Sequence, residues 1–158
     1  MAGAADPQRV EDALQKAFAY LAKRDRSSAQ VRARLEDHGV DAGTADETIL
    51  ELERQGYLDD ERFARLFAED RRNLDGWGTE RIATALSNSG IDSATIEEAV
   101  GSRERGDEIA DALRVLERKC PEPPTDDRER ERALAHLVRR GYELELAYDA
   151  VRAYEKAA

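Results

Sequence analysis

One spacing constrains this chain more than any other feature. Val31, Leu35, Gly39 and Val40 recur as Ile82, Leu86, Gly90 and Ile91, and again as Ala133, Leu137, Gly141 and Tyr142, with 51 residues between successive glycines. Ten residues past each glycine stands another aliphatic, Ile49, Val100 and Val151. A register kept through two rounds without insertion marks a structural repeat. Apolar residues four apart share one helix face, and a glycine four beyond the last of them supplies the left-handed turn that ends a helix. Gly39, Gly90 and Gly141 are therefore expected just past helix ends with positive φ. Asp41 and Asp92, two residues further on, are expected as N-caps of the helices that follow.

A third helix precedes each pair. Leu14, Ala17, Phe18 and Leu21 over 9–23, then Phe63, Leu66, Phe67 and Leu74 over 60–74, then Ile109, Leu113 and Leu116 over 107–119, are all spaced as helix faces. The sequence thus predicts an all-α tandem array of three three-helix repeats, elongated or curved, divided at 1–56, 57–105 and 106–158. Ser27 with Gln30 spells a capping box, and Thr79 is the expected cap of the corresponding helix in the second repeat. Gly101 to Gly106 reads as the joint before the third repeat, and Cys120 to Pro124 as a proline-rich loop within it. Composition agrees: 41% of residues are apolar and 38% charged, too apolar for disorder, and only 10 Gly and 4 Pro interrupt the helix formers.

Little in the chain looks like catalytic equipment. Cys120 is the sole cysteine, so neither an internal disulfide nor a zinc site built on cysteine pairs can form, and a reducing compartment is expected. No apolar run resembles a signal peptide or a membrane span, which points to a cytoplasmic protein without a membrane partner. Asp59, Asp60 and Glu61 could be read as cation ligands, but they suit an N-cap and the acidic first turn of a helix, with Leu58 stapled onto Phe63. His38 and His136 lie in different repeats without a second ligand at helical spacing, and His38 is placed to face a helix C-terminus. No phosphate-binding glycine loop and no nucleophile elbow is present. We therefore expect no catalytic residue, no metal and no cofactor.

Net charge is −10, and each third of the chain is acidic, which argues against strong independent binding to DNA. Two clusters stand out from this background: Lys23, Arg24, Arg26, Arg32 and Arg34, and Arg128, Arg130, Arg132, Arg139 and Arg140. Both are interleaved with acids, as solvated helix faces commonly are. Arg71, Arg72 and Arg81, near the sole tryptophan, Trp77, could join the first cluster in one patch. Trp77 itself either covers the seam between two helices or anchors a partner.

The run Ala19-Tyr20-Leu21 to Arg24, Ser28, Val31, Leu35 and Gly39 carries a family resemblance. So do Gly56-Tyr57-Leu58-Asp59-Asp60-Glu61-Arg62-Phe63-Ala64, Arg71, Gly78, Arg81-Ile82, Leu86 and Gly90-Ile91. Together they resemble the RecX regulatory family, most specifically through Gly-Tyr-Leu-Asp-Asp-x-x-Phe-Ala, and the match is clear over about 14–100. The third repeat follows the family plan mainly through its register, and departs from it in the Pro121 to Pro124 insertion. The resemblance implies a regulator that binds the RecA protein filament on single-stranded DNA, and we expect it to be a monomer without enzymatic activity. It would restrain strand exchange, ATP hydrolysis and filament growth in DNA repair, recombination and the SOS response, with direct DNA contact weak at most. The partner-binding candidates are Arg24, Arg26, Arg71, Arg72, Trp77 and Arg81. Two other readings share the same helical layout: a DNA-binding protein of helix-turn-helix type, and a helical-repeat adaptor for another protein.

Overall fold

The computed structural model describes residues 4–101 and 103–157. Among them are nine α-helices and no strand: α1 Pro7–Leu21, α2 Ser28–Asp37, α3 Ala42–Arg54, α4 Asp60–Asp75, α5 Thr79–Asn88, α6 Ser93–Val100, α7 Arg105–Lys119, α8 Asp127–Arg139 and α9 Leu144–Lys156. The helices pack chiefly in threes: α1 with α2 and α3, α4 with α5 and α6, α7 with α8 and α9.

Each trio closes its own core, and equivalent repeat positions fill it. Val31, Leu35 and Ile49 lie with Ala13, Ala17, Ala45, Leu52 and Leu58. Ile82, Leu86, Ile91 and Val100 pack with Ala64 and Ala68. Ala133, Leu137, Tyr142 and Val151 belong to a larger third cluster with Leu116, Leu146 and Tyr154. Leu35, Leu52, Ile82, Leu86, Leu116 and Leu137 are wholly buried, each contributing roughly 1.5–3 kcal/mol of transfer free energy.

Local signals fix the helix ends. The Ser27 side chain accepts from Gln30 N–H while the Gln30 side chain accepts from Ser27 N–H, a complete capping box. Asp41 accepts from the Thr44 N–H and hydroxyl, and Asp92 accepts from the Thr95 N–H; these bonds hold both carboxyls below the usual aspartate range. Gly39, Gly90 and Gly141 have φ of 81°, 80° and 100°.

The structure corrects several expectations. Thr79 does not cap α5; Gly78 holds the N-cap position without a side-chain bond, and the Thr79 hydroxyl instead donates to Glu108 at 2.6 Å. Gly106 lies inside the first turn of α7, so the joint before the third trio is shorter than 101–106, and Ser102 within it falls outside the described residues. Leu58 is buried in the first core, which thus reaches past residue 56, and Tyr57 packs edge-on against Phe18. Phe18, Leu66 and Leu74, expected inside, are 36%, 39% and 67% exposed. In α4 the core face is Ala64 and Ala68, with Phe63 and Phe67 half-buried against the same core, while Leu66 and Leu74 stay exposed.

The trios are joined by one contact used twice. The Ser27 hydroxyl, at the start of α2, donates to Ser89 O at the end of α5 at 2.5 Å. Fifty-one residues on, Gly78 N–H, at the start of α5, donates to Arg140 O at the end of α8 at 2.8 Å, and Glu80 N–H donates to Gly141 O at 3.0 Å. A side chain on Gly90 would overlap Ala29, and one on Gly141 would overlap Arg81, whereas nothing lies within 4 Å of the place a side chain would take on Gly39. The middle helix of each trio thus rests its N-terminal turn on the glycine turn of the next. α8 breaks this pattern, running 13 residues where α2 and α5 run 10, and its added turn lies at the N-terminus.

Candidate partner-binding surface

Phe63 and Phe67 of α4 and Trp77 form a row of half-buried aromatic rings packed on the second core. Phe63 and Phe67 stack at 6.0 Å between centroids, and Trp77, in the loop after α4, meets Phe67 edge-on at 6.3 Å. Arginines lie over this row: the Arg81 guanidinium is 4.2 Å from the Trp77 centroid, and that of Arg71 is 5.8 Å from Trp77 and 5.7 Å from Phe67. Such cation–π contacts contribute about 0.5–1 kcal/mol at exposed sites, and here they orient the guanidiniums along the ring faces. Arg71 also pairs with Asp75 one turn on, while Arg81 enters no ion pair among the described residues.

A groove of about 350 Å³ crosses from this row to the first trio. Arg24 and Gln30 line one side, Phe63, Leu66, Phe67 and Arg71 the other. The joint from Ser27 to Ser89 therefore runs beneath it. Asp25 and Asp70 also line the groove, so it is electrically mixed, with Phe63, Leu66 and Phe67 as its apolar part.

Of the six candidates, Arg24, Arg71, Trp77 and Arg81 form one strip. Arg26 sits beside it, its guanidinium 4.0 Å from the Tyr20 centroid, with Arg34 at 5.2 Å on the same ring. Arg72 does not belong to the strip. Its side chain is 11% exposed and turns to α7, where Arg72 Nε lies 3.9 Å from Asp111 Oδ2. Burial, with Arg103 nearby, depresses the basicity of Arg72, and Asp111 only partly offsets this. Asp111, 5% exposed, also pairs with Arg103 and Arg114. Tyr142 lies beside this cluster, its hydroxyl donating to Gly76 O at 3.1 Å, and burial with the Asp111 charge pushes its pKa up to about 12.

The acidic run at 59–61 is likewise structural. Asp59 accepts from Arg62 N–H at 3.0 Å as N-cap of α4, and Asp60 accepts from Ser28 N–H at 2.8 Å, tying α4 to the start of α2. Among the described residues no group of three or more His, Cys, Asp or Glu is placed to hold a metal, and no helix is long and apolar enough to cross a membrane.

Two family models match the chain: the first three-helix domain of RecX over residues 13–52 and the second over 59–100. The regulatory protein RecX of Stenotrophomonas maltophilia is 31% identical over 136 residues, covering 85% of this chain and 82% of that protein. The chain belongs to the RecX family. Its RecX relative from Mycobacterium sp. is 28% identical over 152 residues, with 92% and 83% of the two chains covered. The RecX protein of Bacillus licheniformis is 30% identical, but this chain spans only 53% of its length. In fold, the RecX crystal structure from Lactobacillus salivarius covers 94% of this chain with a TM-score of 0.83 at 16% identity, and a second RecX structure covers 92% with a TM-score of 0.76 at 18%. The groove lies across the two trios that the RecX models match.

Proposed function

We propose that this RecX-family chain binds the RecA filament on single-stranded DNA and restrains its ATP hydrolysis and growth. In this reading the strip Arg24, Phe63, Phe67, Arg71, Trp77 and Arg81 is the contact. The observation that carries it is the coincidence of the family-matched trios with a groove whose aromatic floor is flanked by arginines. Aromatic and arginine side chains are the groups that anchor protein interfaces. The part played by the chain is binding, without turnover.

The helix-turn-helix reading fits less well. In that module the last helix of each trio would enter the major groove. Here α3 and α6 carry Asp46, Glu47, Glu97 and Glu98 and only one basic residue between them, Arg54 at the end of α3, so a phosphate backbone would be repelled along most of their length.

The test is charge reversal at the two exposed arginines of the strip that enter no ion pair among the described residues. Arg24→Glu with Arg81→Glu is expected to raise the concentration needed to inhibit RecA-dependent ATP hydrolysis at least tenfold, about 1.4 kcal/mol, with melting temperature unchanged. Inhibition retained at the original concentration by a folded double variant would remove this strip from the contact.

A further inference from the structure

The charges of α8 are sorted by face. Arg130 pairs with Asp127 at 2.6 Å and with Glu155 of α9 at 2.5 Å. Arg132, His136 and Arg139, four and three residues apart, line another face, and none of them enters an ion pair among the described residues. Lys119, from the end of α7, joins them, likewise unpaired, around a cavity of about 550 Å³. The opposite rim is the 120–125 loop, which is held in place without using any of these cations. Pro124 is buried, the Tyr154 hydroxyl donates to Cys120 O, and the Thr125 N–H and hydroxyl both donate to Glu129 Oε2, at 2.8 and 3.1 Å. Glu129 is thereby engaged with the loop, and Glu122 is the other carboxylate lining the cavity.

Three cations and an imidazole line this cleft in a chain of net charge −10, and with Glu129 engaged by the loop only Glu122 is left to balance them, so an anion would relieve their mutual repulsion. We propose that this cleft in the third trio is a binding site for a phosphate-bearing anion, its oxygens taken by Lys119, Arg132 and Arg139, with His136 as a fourth donor. A single carboxylate would leave most of these donors unused, whereas the several oxygens of a diphosphate or of successive phosphodiesters match two guanidiniums, an ammonium and an imidazole. The cations exclude a metal ion. No aromatic ring lines the cleft, so it recognises phosphate rather than a stacked base.

His136 supplies a second handle. Burial first, then Arg140, Lys119 and Arg139, hold its imidazole below the ordinary histidine range. The titratable and charged groups around it are Lys119 from α7, Cys120 and Glu122 from the loop, and Glu129, Arg132, Arg139 and Arg140 from α8. An anion in the cleft reverses the repulsion, so the bound state holds the proton to higher pH than the free state. Affinity then rises as pH falls from the bound-state pKa to the lower free-state one.

Inorganic pyrophosphate and a short oligothymidylate, each titrated into the full chain, test the site by calorimetry and by the His136 ring resonances. Binding is expected to shift those resonances and to weaken at least tenfold in Arg132→Gln with Arg139→Gln, the fold checked by circular dichroism. The affinity gain from pH 7.5 to 5.5 is expected to be severalfold larger in the unmodified chain than in His136→Asn, a difference from which the probe's own titration cancels. Pyrophosphate binding through these residues supports a site for a small anion. Oligothymidylate alone binding through them supports a site for a strand backbone. The proposal falls if neither probe moves His136, or if the folded double arginine variant binds both as the unmodified chain does.

Discussion

A single buried carboxylate shows how much a residue's role depends on what the chain brings to it. In the sequence of α7, Asp111 is one acid among several, yet it stands four residues before Val115 and so on the stripe that faces the core. A charge on such a stripe requires a partner, and that spacing was the legible part of the signal. Arg114 stands three residues on in the same helix, a local pairing, but Arg72 of α4 and Arg103 of the joint come from elsewhere, and no local pattern announces their convergence. The same convergence removes Arg72 from the partner surface, although it neighbours Arg71 in sequence: consecutive helical residues point about 100° apart. Asp111→Asn keeps the volume but leaves buried guanidiniums without a counter-charge, and is expected to cost about 3 kcal/mol. Arg114→Ala, at a side chain 60% exposed, should cost under about 1 kcal/mol. Chemical denaturation of the two variants checks the ordering, and equal losses would mean that Asp111 is held by something other than these pairs.

Helices and their turns were the most legible level, because the 51-residue register carries the same apolar and glycine positions through all three trios. What the register does not reveal is that the three glycines stand in different surroundings. Each has positive φ, a conformation that costs a residue with a Cβ about 1 kcal/mol or somewhat more. Gly90 and Gly141 are also pressed against Ala29 and Arg81 of the preceding trio, while the turn at Gly39 is open. Gly39→Ala is therefore expected to lose about 1 kcal/mol, and Gly90→Ala and Gly141→Ala about 2–4 kcal/mol, since the added methyl must push apart a packed joint. Thermal melts of the three variants measure this directly, and three equal shifts would show that the joints yield without cost. The burial pattern of α4 was illegible for a related reason. Periodicity locates an apolar stripe, but the close approach of α4 to α6 puts Ala64 and Ala68 at its centre and leaves Phe63 and Phe67 half-buried at its edge.

At the scale of the molecule, three small cores share no common interior, so stability is set by each trio and by the two joints between them. The joints differ in kind. The first rests on neutral or singly charged bonds: Ser27 to Ser89, and Ser28 to Asp60. The second has backbone bonds at the equivalent place, Gly78 to Arg140 and Glu80 to Gly141, and adds Thr79 to Glu108, Tyr142 to Gly76 and the buried Asp111 cluster. Trios two and three should therefore open together, and the first trio should open alone at lower free energy. The groove takes side chains from both sides of the weaker joint, so any pivot of the first trio changes the separation of Arg24 from Arg71, the two arginines proposed to meet the filament. Native-state hydrogen exchange separates these possibilities, with the amides of Val31 and Leu35 reporting on the first core, Ile82 and Leu86 on the second, and Leu116 and Leu137 on the third. The first pair is expected to exchange through a sub-global opening while the other two pairs share one slower isotherm. Ser27→Ala, which removes a helix cap together with the bond across the joint, should lower the first opening by about 1–2 kcal/mol and leave the second and third cores nearly unmoved. One isotherm common to all six amides would mean that the first joint couples its neighbours as tightly as the second, and that the groove is rigid.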